Sequence, residues 1–136
     1  MKFRKASLDS ESTVRQWLLE FAKAVRSRDY ATGRSLFAED AVGFGTVANR
    51  CECLKDLESR QWRRVWGVTS DFEFEMDQGV VCACGELASV ACFWRSYGCR
   101  DDGSKFLRRG RCTLLLRIES GKCLAVHSHF SMVPAA

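Results

Sequence analysis

Apolar residues recur at helical spacing over the first half of the chain and alternate with polar ones over the second. Val14, Trp17, Leu18, Phe21 and Val25 share one face of a 3.6-residue repeat, which predicts a helix from about Ser10 to Arg28. Asp9 or Ser10 suits its start, Glu11 its first turn, and Arg26 and Arg28 its end. A shorter helix is expected from about Asp29 to Ala38, burying Tyr30, Leu36 and Phe37, with Glu39 and Asp40 closing it and Asp40 tying it down. Val42 to Val47 reads as a short extended segment. A third helix is expected from about Cys51 to Val65, with Leu54, Leu57, Gln61/Trp62 and Val65 on one face.

After Gly67 the period drops to two. Phe72, Phe74 and Met76 alternate with Glu73, Glu75 and Asp77, the signature of a half-buried strand. Four more strands are expected: Val80 to Cys84, Leu87 to Tyr97, Phe106 to Ile118, and Leu124 to Val133. Gly85-Glu86, Asp101-Asp102-Gly103 and Ser120-Gly121 separate the later ones. Helices first and an antiparallel meander afterwards define an α+β domain. The expected form is a strongly curved antiparallel β-sheet wrapped over three N-terminal helices, a cone with an internal pocket. A chain of 136 residues suits one domain, here 1–136 with its core at about 10–134.

Composition narrows the function classes. Hydrophobic residues make up 46% and charged residues 28%, ordinary for a globular protein, and one proline argues against a long linker. A net charge of +4 is too mild to point to nucleic acid. Arg60, Arg63 and Arg64, like Arg108, Arg109 and Arg111, read as solvated faces or structural ion pairs. No run approaches the roughly 20 apolar residues of a membrane span. Eight cysteines invite a disulfide reading, but the charged N-terminus looks unlike a signal peptide, so reduced thiols and a cytoplasmic location are expected. Cys51/Cys53 and Cys82/Cys84 have C-x-C spacing, unlike common zinc sites, so neither a metal nor a cofactor is expected.

The run from Asp29-Tyr30 through Ser35-Leu36-Phe37-Ala38-Glu39-Asp40-Ala41-Val42, then Phe44-Gly45-Thr46 and Gln61-Trp62-Arg63-Arg64-Val65-Trp66, resembles SnoaL-like domains of the nuclear transport factor 2-like superfamily. The C-terminal signature is Gly110-Arg111-Cys112-Thr113, Gly121-Lys122-Cys123 and Val126-His127-Ser128-His129-Phe130-Ser131. That hairpin also resembles the association domain of calcium/calmodulin-dependent protein kinase II. The resemblance implies the cone fold over about residues 12–134. It implies no single function, because the fold hosts isomerases, dehydratases, cyclases and assembly modules. Ketosteroid isomerases of this superfamily use a carboxylate base, a tyrosine and a protonated carboxyl. The resemblance places these on Gly45, Phe21 and the neighbourhood of Thr113; glycine cannot accept a proton and phenylalanine cannot donate a hydrogen bond, so the isomerase constellation is absent.

Strand parity and the resemblance together give the candidate site. Ser128 and Phe130 share one face of the last strand with Leu124 and Val126, and His127 and His129 share the other with Ala125 and Ser131. Phe93, Arg95 and Tyr97 share a face opposite Trp94. The kinase association domain carries a pocket arginine at the position matching Arg95, which could clamp a carboxylate or pair with an acid such as Glu86 or Asp40. The pocket candidates are Trp17, Phe21, Tyr30, Phe44, Trp62, Trp66, Phe93, Arg95, Tyr97, Arg111, Ser128 and Phe130, and the dimer-face candidates are Trp94, His127 and His129. Two readings stay open. One is a homodimeric domain binding a small apolar or carboxylate ligand, an enzyme or not, without the isomerase residues. The other is a non-catalytic assembly module with a plugged pocket.

Overall fold

A computed structural model describes residues 2–4 and 8–135, with side chains from residue 10 onward. The chain is α+β, as the change of period predicts. A short strand, β1 (Lys2–Arg4), precedes the long helix α1 (Leu8–Ser27) and the short helix α2 (Tyr30–Ser35). Strand β2 (Phe37–Phe44) follows at once. Then α3 (Leu54–Asp56), a π-helical turn (Leu57–Trp62), α4 (Arg63–Val65) and a 3₁₀ turn (Trp66–Val68) run on without a break. Four long strands complete the chain: β3 (Thr69–Cys84), β4 (Leu87–Cys99), β5 (Lys105–Glu119) and β6 (Lys122–Met132). The sheet order is β1-β3-β4-β5-β6-β2, with parallel pairing at both ends and an antiparallel meander between.

Several boundaries depart from expectation. The second helix stops at Ser35, and Phe37 to Phe44 pairs with β6 instead of continuing it. Asp29, not Asp40, is the cap: its carboxylate accepts from Thr32 N at 3.0 Å and from the Thr32 hydroxyl at 2.6 Å. Those bonds hold the Asp29 pKa below its ordinary value. Asp40 is exposed in β2. The third helix is split between α, π and 3₁₀ turns. The two strands expected between Phe72 and Cys84 form one strand, interrupted in register between Glu75 and Val80 and also between Ser70 and Glu73, where Asp71 takes a positive φ. Such bulges bend a strand and strengthen its twist, which is how β3 curls round α1. At the β5–β6 turn Ser120 and Gly121 both have positive φ, the pairing a two-residue hairpin needs.

The concave side holds the core. Val14, Trp17, Leu18 and Phe21 of α1 meet Phe37, Trp62, Trp66, Phe72, Phe74 and Trp94. Trp17 stacks on Phe21 at 5.1 Å and its indole N–H donates to Leu36 O at 2.9 Å, tying α1 to the start of β2. Along β4 the even positions Ala88, Val90, Cys92, Trp94, Ser96 and Gly98 are buried. Gly110 stands opposite Trp94 in the ladder, and a Cβ there would overlap the indole, so this glycine lets a tryptophan lie flat inside the sheet.

Candidate functional site

The cavity between the helices and the sheet is narrow, about 50 Å³. It is lined by Phe21 and Val25 of α1, by Phe44, Gly45 and Thr46, and by Leu57, Gln61 and Trp62 of the π-helical turn. Val65, Trp66, Thr69, Phe72, Trp94, Arg108, Ser128 and Phe130 complete the wall. Phe130 sits among aromatic rings, 6.2 Å from Phe21, 6.3 Å from Phe74 and 6.4 Å from both Phe72 and Trp94, and limits the space. Tyr30, Trp66 and Trp62 form a stack at 5.0 and 4.8 Å that runs inward from the surface, with Arg63 over the outer face of Tyr30.

The π-helical turn matters for the lining. Its wider ring turns Leu57, Gln61 and Trp62 inward together, and π-bulges of this kind often mark functional sites. Gln61 is buried. Its Oε1 accepts from Val47 N at 2.9 Å and Ala48 N at 2.8 Å, and its Nε2 donates to Thr46 Oγ1 at 2.9 Å. Three hydrogen bonds thus commit the amide to holding the loop after β2. Gly45 lies beside it, and a Cβ on Gly45 would overlap Gln61 Oε1.

Among the sixteen lining residues only Arg108 is ionisable. It is half-buried, and its Nη1 donates to the buried hydroxyl of Ser96 at 3.1 Å. The guanidinium lies 5.3 Å from the Trp94 ring centre. Burial pulls its pKa below the ordinary arginine value, and no acid stands against it among the described residues. Ser128 is buried on the same wall. The lining holds no carboxylate, thiol or imidazole, so it contains no ordinary proton-abstracting group.

The expected pocket residues separate into two sets. Phe21, Phe44, Trp62, Trp66, Ser128 and Phe130 line the cavity. Trp17 is buried behind it, and Tyr30 flanks it through the stack on Trp66. Phe93, Arg95, Tyr97 and Arg111 do not reach it. Arg95 is on the outer face, ion-paired with Glu73. Phe93 lies under Arg109, 4.5 Å from the guanidinium carbon. Tyr97 is exposed, and Arg111 is exposed beside the Ser131 hydroxyl. The parity of β4 is therefore opposite to that expected. Both of its faces carry apolar side chains, so alternation alone does not fix which one is buried. Trp94, expected on the dimer face, is 2% exposed and part of the cavity wall, and its indole N–H donates to Arg111 O at 3.2 Å. In β6 the parity changes at a bulge: Leu115 pairs with His127 and Leu116 with Ala125, so Ala125 is buried along with Ser128. His127 and His129 project from the other face with Phe44 edge-on to both rings, at 5.2 and 5.3 Å. His127 Nδ1–H donates to Val42 O at 2.7 Å, which leaves Nε2 outward.

The sequence reading missed Arg108, whose neighbours disguised it. In the run Arg108-Arg109-Gly110-Arg111, Arg109 pairs with Glu75 at 2.8 Å and Arg111 is exposed, while Arg108 turns in. The signal that separates them is period two anchored on the buried Gly110 and Cys112. Among the described residues no group of three metal-binding side chains exists, and no helix is long and apolar enough to cross a membrane. The cysteines are free, with Cys82, Cys84 and Cys99 exposed. Cys123 is pushed up to about 11, by burial and then by the Glu20 carboxylate.

Known structures share this architecture. An NTF2-like protein of unknown function from Pseudomonas putida KT2440 is 26% identical, with a TM-score of 0.75 over 92% of this chain and 87% of that one. A ketosteroid isomerase-like protein from Erwinia carotovora atroseptica SCRI1043 is 14% identical, with a TM-score of 0.79 over 95% of this chain and 100% of that one. A Xanthomonas campestris protein assigned as a calcium/calmodulin-dependent protein kinase II association domain is 18% identical, with a TM-score of 0.71 over 97% and 96%. No curated protein matches the chain. The SnoaL-like domain family matches residues 14–136, nearly the whole fold and every residue of the cavity wall, and the chain belongs to that family.

Proposed function

We propose that this chain is a small-molecule-binding SnoaL-like domain whose aromatic cavity takes a compact ligand, and that it does not carry out ketosteroid isomerisation. The observation that carries the reading is the wall itself. Inward rings enclose a cavity into which a few polar groups converge, the usual make-up of a ligand site. Fifty cubic ångströms holds roughly three to five water-sized groups, so the ligand is small or enters only in part. Glycine stands where an isomerase base would be needed, and Gln61 fills the adjoining space.

Titration with compact neutral molecules such as acetone and propionamide tests this, read on the indole resonances of Trp62, Trp66 and Trp94. Saturable shifts at those indoles are expected. Phe130→Ala should extend the accepted size to benzene, by emptying the space one ring now fills. If neither the natural chain nor this variant shows a saturable response, the cavity reading fails.

A second reading has its own support. The cavity is small, and the outer sheet face presents His127, His129, Tyr97 and Leu107. A domain that uses this face to associate with a second copy, with the interior serving only as core, fits those features. The same titration separates the two, because a pure assembly module gives no cavity response.

A further inference from the structure

We propose that Arg108 makes the cavity an anion site for the carboxylate of a compact monocarboxylic acid, held by the guanidinium against Ser96 and Trp94. This inference rests on the cavity reading above and names its ligand class. It starts from a contrast among the arginines. Arg95 pairs with Glu73, Arg109 with Glu75, Arg34 and Arg63 with Glu58, and Arg50 with Glu52. Those guanidiniums lie on the surface, where pairing is optional. Arg108 is the one that faces the cavity, and it has no acidic partner among the described residues.

Its donors are also under-used. A guanidinium offers five N–H groups. The protein engages Arg108 through Ser96 Oγ at 3.1 Å and a long contact from Nη2 to Met132 Sδ at 4.0 Å. Holding a cation half out of water without a counter-charge is unfavourable, and a carboxylate brought to the remaining N–H groups relieves that cost. The fork geometry of arginine matches the two oxygens of a carboxylate. One arginine, with no second cation in the wall, suits a single negative charge better than a phosphate dianion. The wall holds no acid, so no negatively charged side chain in it opposes an anion. The Ser96 hydroxyl behind the guanidinium and the Trp94 face beside it fix its orientation, so little ordering is left for the ligand to impose.

The test compares propionate with propionamide, which share shape and differ in charge, by NMR titration at constant ionic strength and neutral pH. Propionate is expected to bind at least tenfold more tightly, with the shift centred on the Trp94 indole. Arg108→Met should bring the two affinities together while propionamide still binds. Arg108→Lys, which keeps the charge and loses the fork, should retain only part of the preference. Ser96→Ala should weaken propionate several-fold and leave propionamide unchanged, and it serves if the arginine variants fail to fold. Equal affinities in the natural chain would overturn the carboxylate assignment and leave the cavity reading standing. A preference that survives Arg108→Met would overturn it too, by placing the anion elsewhere. Silence from both probes overturns this inference, and the cavity reading falls with it when Phe130→Ala is silent as well.

Discussion

At the scale of single residues, this cavity is defined as much by what it excludes as by what it holds. Gly45 occupies the position where the family resemblance locates an isomerase base, and that much is legible in the sequence. The reason glycine is required is not legible, because it depends on Gln61, sixteen positions later and on another element. The Gln61 amide satisfies Val47 N and Ala48 N and approaches Gly45 too closely for any side chain there. Gly45→Asp is therefore expected to destabilise the protein by about 1–3 kcal/mol in urea unfolding, through overpacking against an amide held by three hydrogen bonds. It should install no isomerase: a Δ5-3-ketosteroid incubated with the variant should show no rise in conjugated-enone absorbance. A stable variant that gains turnover would mean that the loop after β2 yields easily and that only a carboxylate was missing. Arg108 shows the opposite limit of legibility. Its chemistry is visible in the sequence, but its direction is hidden inside a run of surface arginines.

At the scale of elements, helix periodicity and the main strands were readable because long apolar repeats dominate local choice. α1 and the meander β4–β5–β6 lie where the pattern puts them, within a few residues. The faces of strands were less readable. In β3 and β6 a bulge shifts the register, and each shift exchanges inside for outside beyond it. β4 was misread for a different reason, since Phe93 and Tyr97 look as apolar as Val90 and Trp94 until Gly110 is seen to make room for the indole. The helical segment from 54 to 68 is held to α2 by a clasp that no periodicity announces. Glu58 Oε1 accepts from Arg34 at 2.7 Å and Oε2 from Arg63 Nε at 2.8 Å. The Arg34 hydrogen bond, with Arg63 beside it, lowers the Glu58 pKa against the opposing effect of burial. A carboxylate with a depressed folded pKa adds stability above its unfolded value, about 4.3, and loses it as pH falls through the folded pKa. Glu58→Gln should therefore flatten the acid limb of the stability curve below about pH 4.3, measured as urea midpoints from pH 7 to pH 3. Asp29 and Asp102 are depressed too, by Thr32 and Ser104 respectively, but they act alike in both proteins. Parallel curves for the two proteins would show that the clasp contributes nothing.

At the scale of the whole molecule, the sheet has two faces, and the proposed association concerns the outer one. Its charges are largely matched internally: Glu73 pairs with Arg95 on the neighbouring strand, and Glu75 reaches across β4 to Arg109. Arg111 stands exposed there beside the Ser131 hydroxyl, and the rest of the unmatched surface is apolar or aromatic. Tyr97 and Leu107 are directly opposite in the β4–β5 ladder and are 39% and 58% exposed. Toward β2 the same face carries His127 and His129. An apolar pair flanked by neutralised charges is a surface that a second copy can cover without stranding an ion, which makes a two-fold contact through the sheet the expected assembly. Light scattering on a sizing column at micromolar concentration should give twice the chain mass. Leu107→Glu should shift it to the monomer, because a carboxylate would then be trapped at the contact, while the cavity, walled by the opposite side of the sheet, keeps its ligand response. A natural chain that runs as a monomer under those conditions removes the outer face from the account. A Leu107→Glu variant that stays dimeric moves the contact away from this end of the sheet.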